Sequence, residues 1–264
     1  MLDPNRPNAL GPYSYNGQRN ARDEFPLASL QQVPLFQKLS LEELKAVSGV
    51  VKRRTIVPDE LLLTEDDVDS TLFLIMEGAF KVTVRKGEST VLLGLCGRGE
   101  LLGELAAIDG HARSATVTAQ TPCTVGVVSA SNFWDKVWPL PVIPLNMAHL
   151  LTGRVRRLTA KVQAMATLDV RGRLAYQMVS LARDHGDKAP DKSLFIPFGL
   201  TQLELAQMVG TSRVQVNQLM ITWTRHGILT AKRNCITVNR LDSLCQMFPA
   251  SLDAIVPRSA RELN

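Results

Sequence analysis

Glycine spacing sets the first limit on what this chain can fold into. Between Thr55 and Val128 the apolar residues come in short runs: Leu61–Leu63, Leu72–Met76, Phe80–Val84, Val91–Leu95, Ala115–Ala119 and Val125–Val128. Glycines punctuate them at positions 78, 87, 94, 97, 99, 103 and 110. Val82 and Val84 alternate with polar neighbours, as do Ala115, Val117 and Ala119, the pattern of half-buried strands. Many short strands joined by glycine turns predict a small barrel or β-roll.

The flanking sequence has a different texture. Residues 1–28 lack periodicity and read as a flexible N-terminal tail. Ser40 followed by Glu43 is a capping-box signature, so a helix should begin there. Pro139, Pro141 and Pro144 mark a break, after which a long helical stretch runs to Leu168. Within it Ala148, Leu151, Val155, Leu158, Val162 and Met165 follow the alternating three-and-four spacing of a heptad seam. Arg154, Arg156, Arg157 and Lys161 occupy the other faces. Such a seam either covers the chain's own barrel or packs against its copy in a homodimer; its strictness over three heptads favours the copy. Asp169 to Arg183 is amphipathic, and His185 to Ser193 reads as a polar loop. Leu200–Val209 and Ser212–His226 are helical patterns separated by Gly210-Thr211, and Ile228 to Val238 looks like a hairpin. The expected organisation is α+β: a β-roll domain over 29–143, a long helix over 144–168, a helical domain with a small hairpin over 169–248, and a tail over 249–264.

Composition excludes several classes. The 264 residues are ample for an unstapled core. The four cysteines, Cys96, Cys123, Cys235 and Cys245, form no CxxC pair, which argues against zinc knuckles, iron–sulfur clusters and secreted disulfide scaffolds. The four histidines show no metal-ligand spacing, so no metal is expected. No apolar run reaches membrane-span length, and Met1–Gln18 is too polar for a signal peptide, so a cytoplasmic protein with reduced thiols is expected. The net charge of +5 is unevenly placed: residues 1–169 are balanced and residues 170–264 carry all of it. A basic C-terminal part would gain from meeting a polyanion by releasing condensed counterions.

Two motifs carry chemistry. In Leu102-Gly103-Glu104-Leu105 through Arg113-Ser114, a glycine permits close backbone approach and helix-start amides face an anion. Glu104 offers a carboxylate to sugar hydroxyls, and Arg113 a guanidinium that can fork onto a phosphate. The bland alternative is a surface turn with a Glu–Arg salt bridge. In Leu200–Leu219, Thr201 caps a first helix with Glu204 three residues on, Gly210 supplies the turn and Ser212 caps a second helix. Arg213, Gln215, Asn217 and Gln218 would be exposed and able to reach base edges. Leu203, Ala206, Val209, Val216 and Leu219 would form the internal core. This reads as a helix-turn-helix whose second helix enters the major groove; an ordinary helical hairpin is the alternative.

Together these motifs, in this order along the chain, resemble the CRP/FNR (cAMP receptor protein-like) family of bacterial transcription regulators. The likeness runs from about Val33 to Val238 and includes a hinge at Thr167–Ala175. It implies an N-terminal cyclic-nucleotide-binding β-roll, a long dimerisation helix and a C-terminal winged helix-turn-helix. By position, Glu104 would accept the ribose 2′-hydroxyl, Arg113 pair with the cyclic phosphate, and Ser114 and the amides of Gly103–Leu105 complete the anion site. Leu93, Cys96 and Leu102 would line the base pocket. Where the family meets the purine with two hydroxyls, this chain has Leu158 and Thr159, so one hydroxyl remains. The effector implied is cAMP, with cGMP or a cyclic dinucleotide as alternatives. The dimer interface would include Leu151, Val155, Leu158, Val162 and Met165.

The resemblance also implies a palindromic double-stranded DNA operator met by Thr201, Gln202, Thr211, Ser212, Arg213, Val214, Gln215, Asn217 and Gln218, with Lys232 and Arg233 of the wing as phosphate contacts. The family's best-known member reads DNA with Arg, Glu and a second Arg. Here Arg213 is kept, but Val214 and Gln218 fill the other two positions, which implies a different half-site. RNA polymerase is a further partner by analogy with the family alone. Rival readings are a redox, haem or gas sensor of the same superfamily, a ligand-independent DNA-binding protein, and an enzyme, for which no catalytic constellation stands out.

Overall fold

Strand Leu72–Glu77 organises the N-terminal half, because its apolar run is continuous rather than alternating. Phe73 and Ile75 point into the roll, whereas Leu72, Leu74 and Met76 pack with helices laid over its outside. A strand buried on both faces needs apolar residues at every position, and this one has them. The computed structural model describes residues 25–232 and 235–255.

The chain opens with α1 (Leu27–Gln31), a single 3-10 turn (Pro34–Phe36) and α2 (Leu41–Ser48). The Ser40 hydroxyl accepts from the Glu43 amide and the Glu43 carboxylate from the Ser40 amide, the reciprocal cap expected there. Strands β1 (Lys52–Ile56), β2 (Leu61–Leu63), β3 (Leu72–Glu77), β4 (Ala79–Lys86), β5 (Ser89–Gly97) and β6 (Leu101–Leu102) follow. After α3 (Glu104–Asp109) come β7 (Thr116–Ala119), β8 (Cys123–Val128) and the short α4 (Ala130–Asn132). Two antiparallel sheets result, ordered β1-β8-β3-β6 and β2-β7-β4-β5. Ile56, Leu62, Phe73, Ile75, Phe80, Val117 and Val125 fill the space between them. On the outside, Leu30, Leu35, Phe36 and Leu44 pack with Phe133, Ile143 and Met147.

The long helix α5 spans Ile143–Thr167, and α6 spans Val170–His185. Between them Asp169 caps α6, its side chain accepting from the Gly172 amide at 2.7 Å. The C-terminal domain adds β9 (Asp187–Lys188), β10 (Leu194–Ile196), α7 (Gln202–Val209), α8 (Arg213–Arg225), β11 (Leu229–Lys232), β12 (Cys235–Val238), α9 (Leu241–Cys245) and α10 (Ala250–Ile255). Its sheet is ordered β11-β12-β10-β9. The molecule is therefore α+β: a β-roll, long helices, and a helix-turn-helix domain with a hairpin wing.

Four local expectations give way. The N-terminal tail does not extend to residue 28: Phe25 is buried and packs with Leu30, and α1 begins at Leu27, while residues 1–24 lie outside the described residues. At the other end, Leu252 within α10 is buried in the same core as Tyr176 and Phe248, so packing continues past residue 248. The loop at His185–Ser193 contains β9, which pairs with β10. Strand β1 begins in the charged Lys52-Arg53-Arg54, where only Ile56 faces the core; pairing to β8 decides its conformation despite its side chains.

The two domains share a continuous apolar core. Ala79, Leu92 and Leu95 of the roll cluster with Ala160 and Ala164 of α5 and with Met178, Phe198 and Leu205 of the C-terminal domain. Polar contacts line the rim: Lys81 with Glu204, the Leu92 backbone amide donating to Gln207 Oε1, Gln207 Nε2 to the Thr90 carbonyl, and Gln120 Nε2 to the Gly199 carbonyl. Asp184 near the end of α6 sits at this junction. Burial pushes its carboxyl up to about 6, opposed by Arg157 and Arg183 and reinforced by Glu100. A carboxyl that holds its proton more tightly when folded destabilises the fold as pH rises from about 4 to beyond 6. Asp184→Asn should therefore stabilise the protein at pH 7 by about 1–2 kcal/mol and leave it unchanged at pH 4, as urea unfolding at the two pH values will measure.

Candidate functional site

The ligand cassette is built where β6 ends and α3 begins. Gly103 adopts φ +81°, and a Cβ there would lie 2.4 Å from Arg113 Nη1 and 2.5 Å from the Thr71 carbonyl oxygen. Only glycine satisfies both the left-handed backbone and the close approach of the guanidinium. Arg113 is buried, its side chain 2% exposed. It donates from Nη1 to the Gly103 carbonyl at 3.0 Å and from Nη2 to the Thr71 carbonyl at 2.7 Å and to Asp69 Oδ2 at 2.8 Å. Its Nε, also buried, has no hydrogen-bond partner among the described residues. Burial pushes the Asp69 carboxyl up, but hydrogen bonds from Arg113 and Thr71 outweigh it and hold the group below the usual carboxylate value.

Glu104, at the first turn of α3, is buried and pairs with Arg154 of α5, which also donates to the Leu101 carbonyl at 3.0 Å. The Glu104–Arg113 surface salt bridge, the bland alternative, does not form: each residue pairs elsewhere. One helical turn on, Arg157 lies 3.9 Å from Glu100, and Lys161 Nζ donates to the Leu93 carbonyl at 2.7 Å. Burial lowers the Lys161 ammonium from its ordinary value. Burial also pushes the Cys96 thiol well up, with Glu100 adding to the effect, so it stays protonated. Among the described residues no group of His, Cys, Asp and Glu could hold a metal ion.

The second region is the α7–α8 pair. Thr201 caps α7 reciprocally with Glu204, Gly210 turns the chain at φ +64°, and the Ser212 hydroxyl accepts from the Gln215 amide to cap α8. Val216, Met220 and Trp223 bury one face of α8, leaving Arg213, Val214, Gln215 and Gln218 exposed on the other. A cleft of about 560 Å³ opens between the start of α7, the start of α8 and the wing, with Thr201, Gln202, Leu203, Arg213, Lys232 and Cys235 in its wall.

Residues 53–137 match the family model of the cyclic nucleotide-binding domain, and residues 172–247 that of the Crp-like helix-turn-helix domain. The chain belongs to the CRP/FNR family of transcription regulators. It is similar to the cAMP-activated global transcriptional regulator CRP of Salmonella typhimurium, with 29% identity over 67% of this chain and 84% of that protein. It is similar also to the cyclic AMP receptor protein of Thermus thermophilus, with 26% identity over 74% of this chain and 88% of that one. In fold it matches the c-di-GMP responsive global regulator CLP of Xanthomonas campestris, at TM-score 0.62 and 20% identity, covering 75% of this chain and 99% of that one.

Within this CRP/FNR chain the expected ligand residues fall into two groups. Gly103 and Arg113 are bonded, with buried Glu104 and exposed Leu105 following Gly103 at the start of α3; Leu102 is buried in the roll interior. Ser114 is exposed, as are Leu158 and Thr159. Leu93 is exposed, and its carbonyl accepts from Lys161 of the helix. Sequence reasoning missed Asp69, Arg154, Arg157 and Lys161. The last three repeat at three- and four-residue intervals, which marks one helix face; Asp69 comes from a distant acidic loop and carried no signal.

The DNA-reader expectations need two corrections. Leu203 is exposed in the cleft, not internal; Leu205, Ala206, Met208 and Val209 form the buried side of α7. Asn217 is half-buried rather than exposed, and its Oδ1 accepts from Gln202 Nε2 at 2.8 Å. Thr211 pairs with Gln215. Lys232 is exposed, and Arg233 lies outside the described residues. Gly103→Ala should lose about 1–3 kcal/mol of stability to backbone strain alone and displace Arg113; urea unfolding checks the first effect and the loss of anion binding the second.

Proposed function

We propose that the chain is a cyclic-nucleotide-responsive homodimeric regulator that binds a two-fold symmetric DNA operator. The observation that carries this reading is the buried Arg113, whose Nε has no partner among the described residues, bonded to the carbonyl of Gly103, the residue before the buried Glu104, in a roll that shares an apolar core with the helix-turn-helix domain. A buried guanidinium with an unused donor is suited to a charged phosphodiester, and a buried carboxylate to a sugar hydroxyl. The effector we favour is cAMP, which the names of the Salmonella typhimurium and Thermus thermophilus relatives carry, with cGMP next.

The mechanism follows from what α5 touches. Arg154 ties the helix to Glu104, Lys161 ties it to β5, and its C-terminal end leads through the Asp169 cap into the DNA-binding domain. A ribose taking Glu104 releases Arg154, and α5 re-seats against the roll. Because Ala160 and Ala164 share the core with α6 and α7, that movement reaches the recognition helix. The ligand acts through its differential affinity for the two arrangements of the helix.

The exposed seam supports a second copy. Val155, Leu158 and Val162 are 61%, 57% and 68% exposed, so they do not cover the chain's own roll. Leu151 is half-buried among the N-terminal helices, and Met165, 41% exposed, has its methyl close to Gly210. Packed seam to seam, two helices bury this stripe, and of Leu158 and Thr159 one meets its own base pocket and the other reaches the partner's. Each α8 then presents Arg213, which can fork onto a guanine, with Gln218 suited to adenine and Val214 to a thymine methyl.

Calorimetric titration of nucleotide-stripped protein with cAMP, then cGMP, tests the reading. Micromolar or tighter binding is expected, weakened on the order of 100-fold in a folded Arg113→Leu variant; unchanged affinity in that variant would remove Arg113 from the site. Sedimentation of a Val155→Glu/Val162→Glu variant should show a monomer where the unmodified chain shows a dimer. A dimer that survives both substitutions would place the interface elsewhere.

A further inference from the structure

The guanidinium that the phosphate would take is already held by an anion of the chain itself. Asp69 Oδ1 is committed to Thr71, accepting from its amide at 3.0 Å and its hydroxyl at 2.8 Å. Only Oδ2 reaches Arg113, at 2.8 Å on Nη2. The carboxylate therefore cannot span the Nε–Nη2 edge of the guanidinium, and Nε is left buried without a partner among the described residues. Arg113 is 2% exposed and Asp69 30%, so Asp69 is the solvent-side member of the pair. The bonds from Arg113 to the Gly103 and Thr71 carbonyls fix the guanidinium from the other side. Exchange of one anion for another can then proceed without moving the cation.

We propose that Asp69 is a resident anion of the phosphate seat, displaced from Nη2 when a phosphodiester takes the Nε–Nη2 edge of Arg113. It keeps the buried charge paired in the ligand-free protein, where an unpaired guanidinium would destabilise the fold. By the same contact it competes with the ligand and sets the concentration at which the regulator responds. A phosphodiester wins because it bonds both Nε and Nη2, where Asp69 bonds one. This inference rests on reading the cassette as a phosphodiester site.

The test is affinity in Asp69→Asn and Asp69→Ala, titrated with cAMP, cGMP and c-di-GMP, with thermal unfolding of each variant with and without ligand. Removal of a competing anion should tighten binding about three- to tenfold, the equivalent of losing one charge-assisted hydrogen bond partly screened by solvent. The ligand-free variants should melt at lower temperature, and ligand should raise their melting temperature more than it raises that of the unmodified chain. Structural damage lowers affinity and only loss of a competitor raises it, so tightening in either folded variant supports the proposal. Unchanged or weaker binding in the variants, with the unmodified chain binding cAMP or cGMP, overturns the role of Asp69 and leaves the cassette standing. Tightening confined to c-di-GMP supports Asp69 as the resident anion while overturning the mononucleotide reading. If no phosphodiester binds the unmodified chain or the variants, both ideas fall.

Discussion

The close packing of α5 against two domains at once is the constraint from which the remaining geometry follows. A helix of 25 residues extends about 37 Å. Its N-terminal half is wedged among α1, α2 and the outside of β3, where Ile143 and Met147 are buried. Farther along, the small side chains of Ala160 and Ala164 let it sit tightly in the core shared by β5 and α6. Larger residues at those two positions would push the domains apart. The helix cannot shift at one end without the shift being felt at the other, because close-packed interfaces do not deform continuously.

The polar groups of the cassette work against that rigid frame. Glu104 and Arg113 are buried charges, and each is paired with a residue from elsewhere in the chain: Arg154 on α5 and Asp69 in the acidic loop. Buried pairs of this kind add little net stability, since desolvation offsets most of the attraction. Their significance is positional. Arg154 makes Glu104 of the roll a contact of the long helix, and Asp69 holds the Arg113 guanidinium in register. The same economy appears at the domain junction, where Lys81, Gln207 and Gln120 hold α7 and its approach to the roll at its rim while the apolar core does most of the packing.

Much of this was legible in the residues. Glycine spacing and short alternating runs foretold the roll, and the Ser40–Glu43 and Thr201–Glu204 pairs marked two helix starts that the structure realises as reciprocal caps. Gly103 and Gly210 announced backbone that other residues adopt only with strain. What escaped detection depends on tertiary pairing. Strand β1 is recruited by β8 although its sequence is charged, and Leu203 sits at a helical-core position yet faces a cleft because the wing stands off from α7. Asp69 meets Arg113 across 44 residues of sequence, and no local pattern encodes such a contact. Arg154, Arg157 and Lys161 were visible as cations off the seam; which surface they would face was not.

The central claim is that occupation of the roll controls what the recognition helices bind. The most direct measurement is selection of duplexes from a random library by the purified protein, followed by anisotropy titration of the selected sequence with and without cAMP or cGMP at fixed salt. The account predicts a two-fold symmetric sequence with half-sites one helical turn apart, bound at least about tenfold more tightly when nucleotide is present. Equal affinity with and without nucleotide, or a selected site lacking two-fold symmetry, would contradict it.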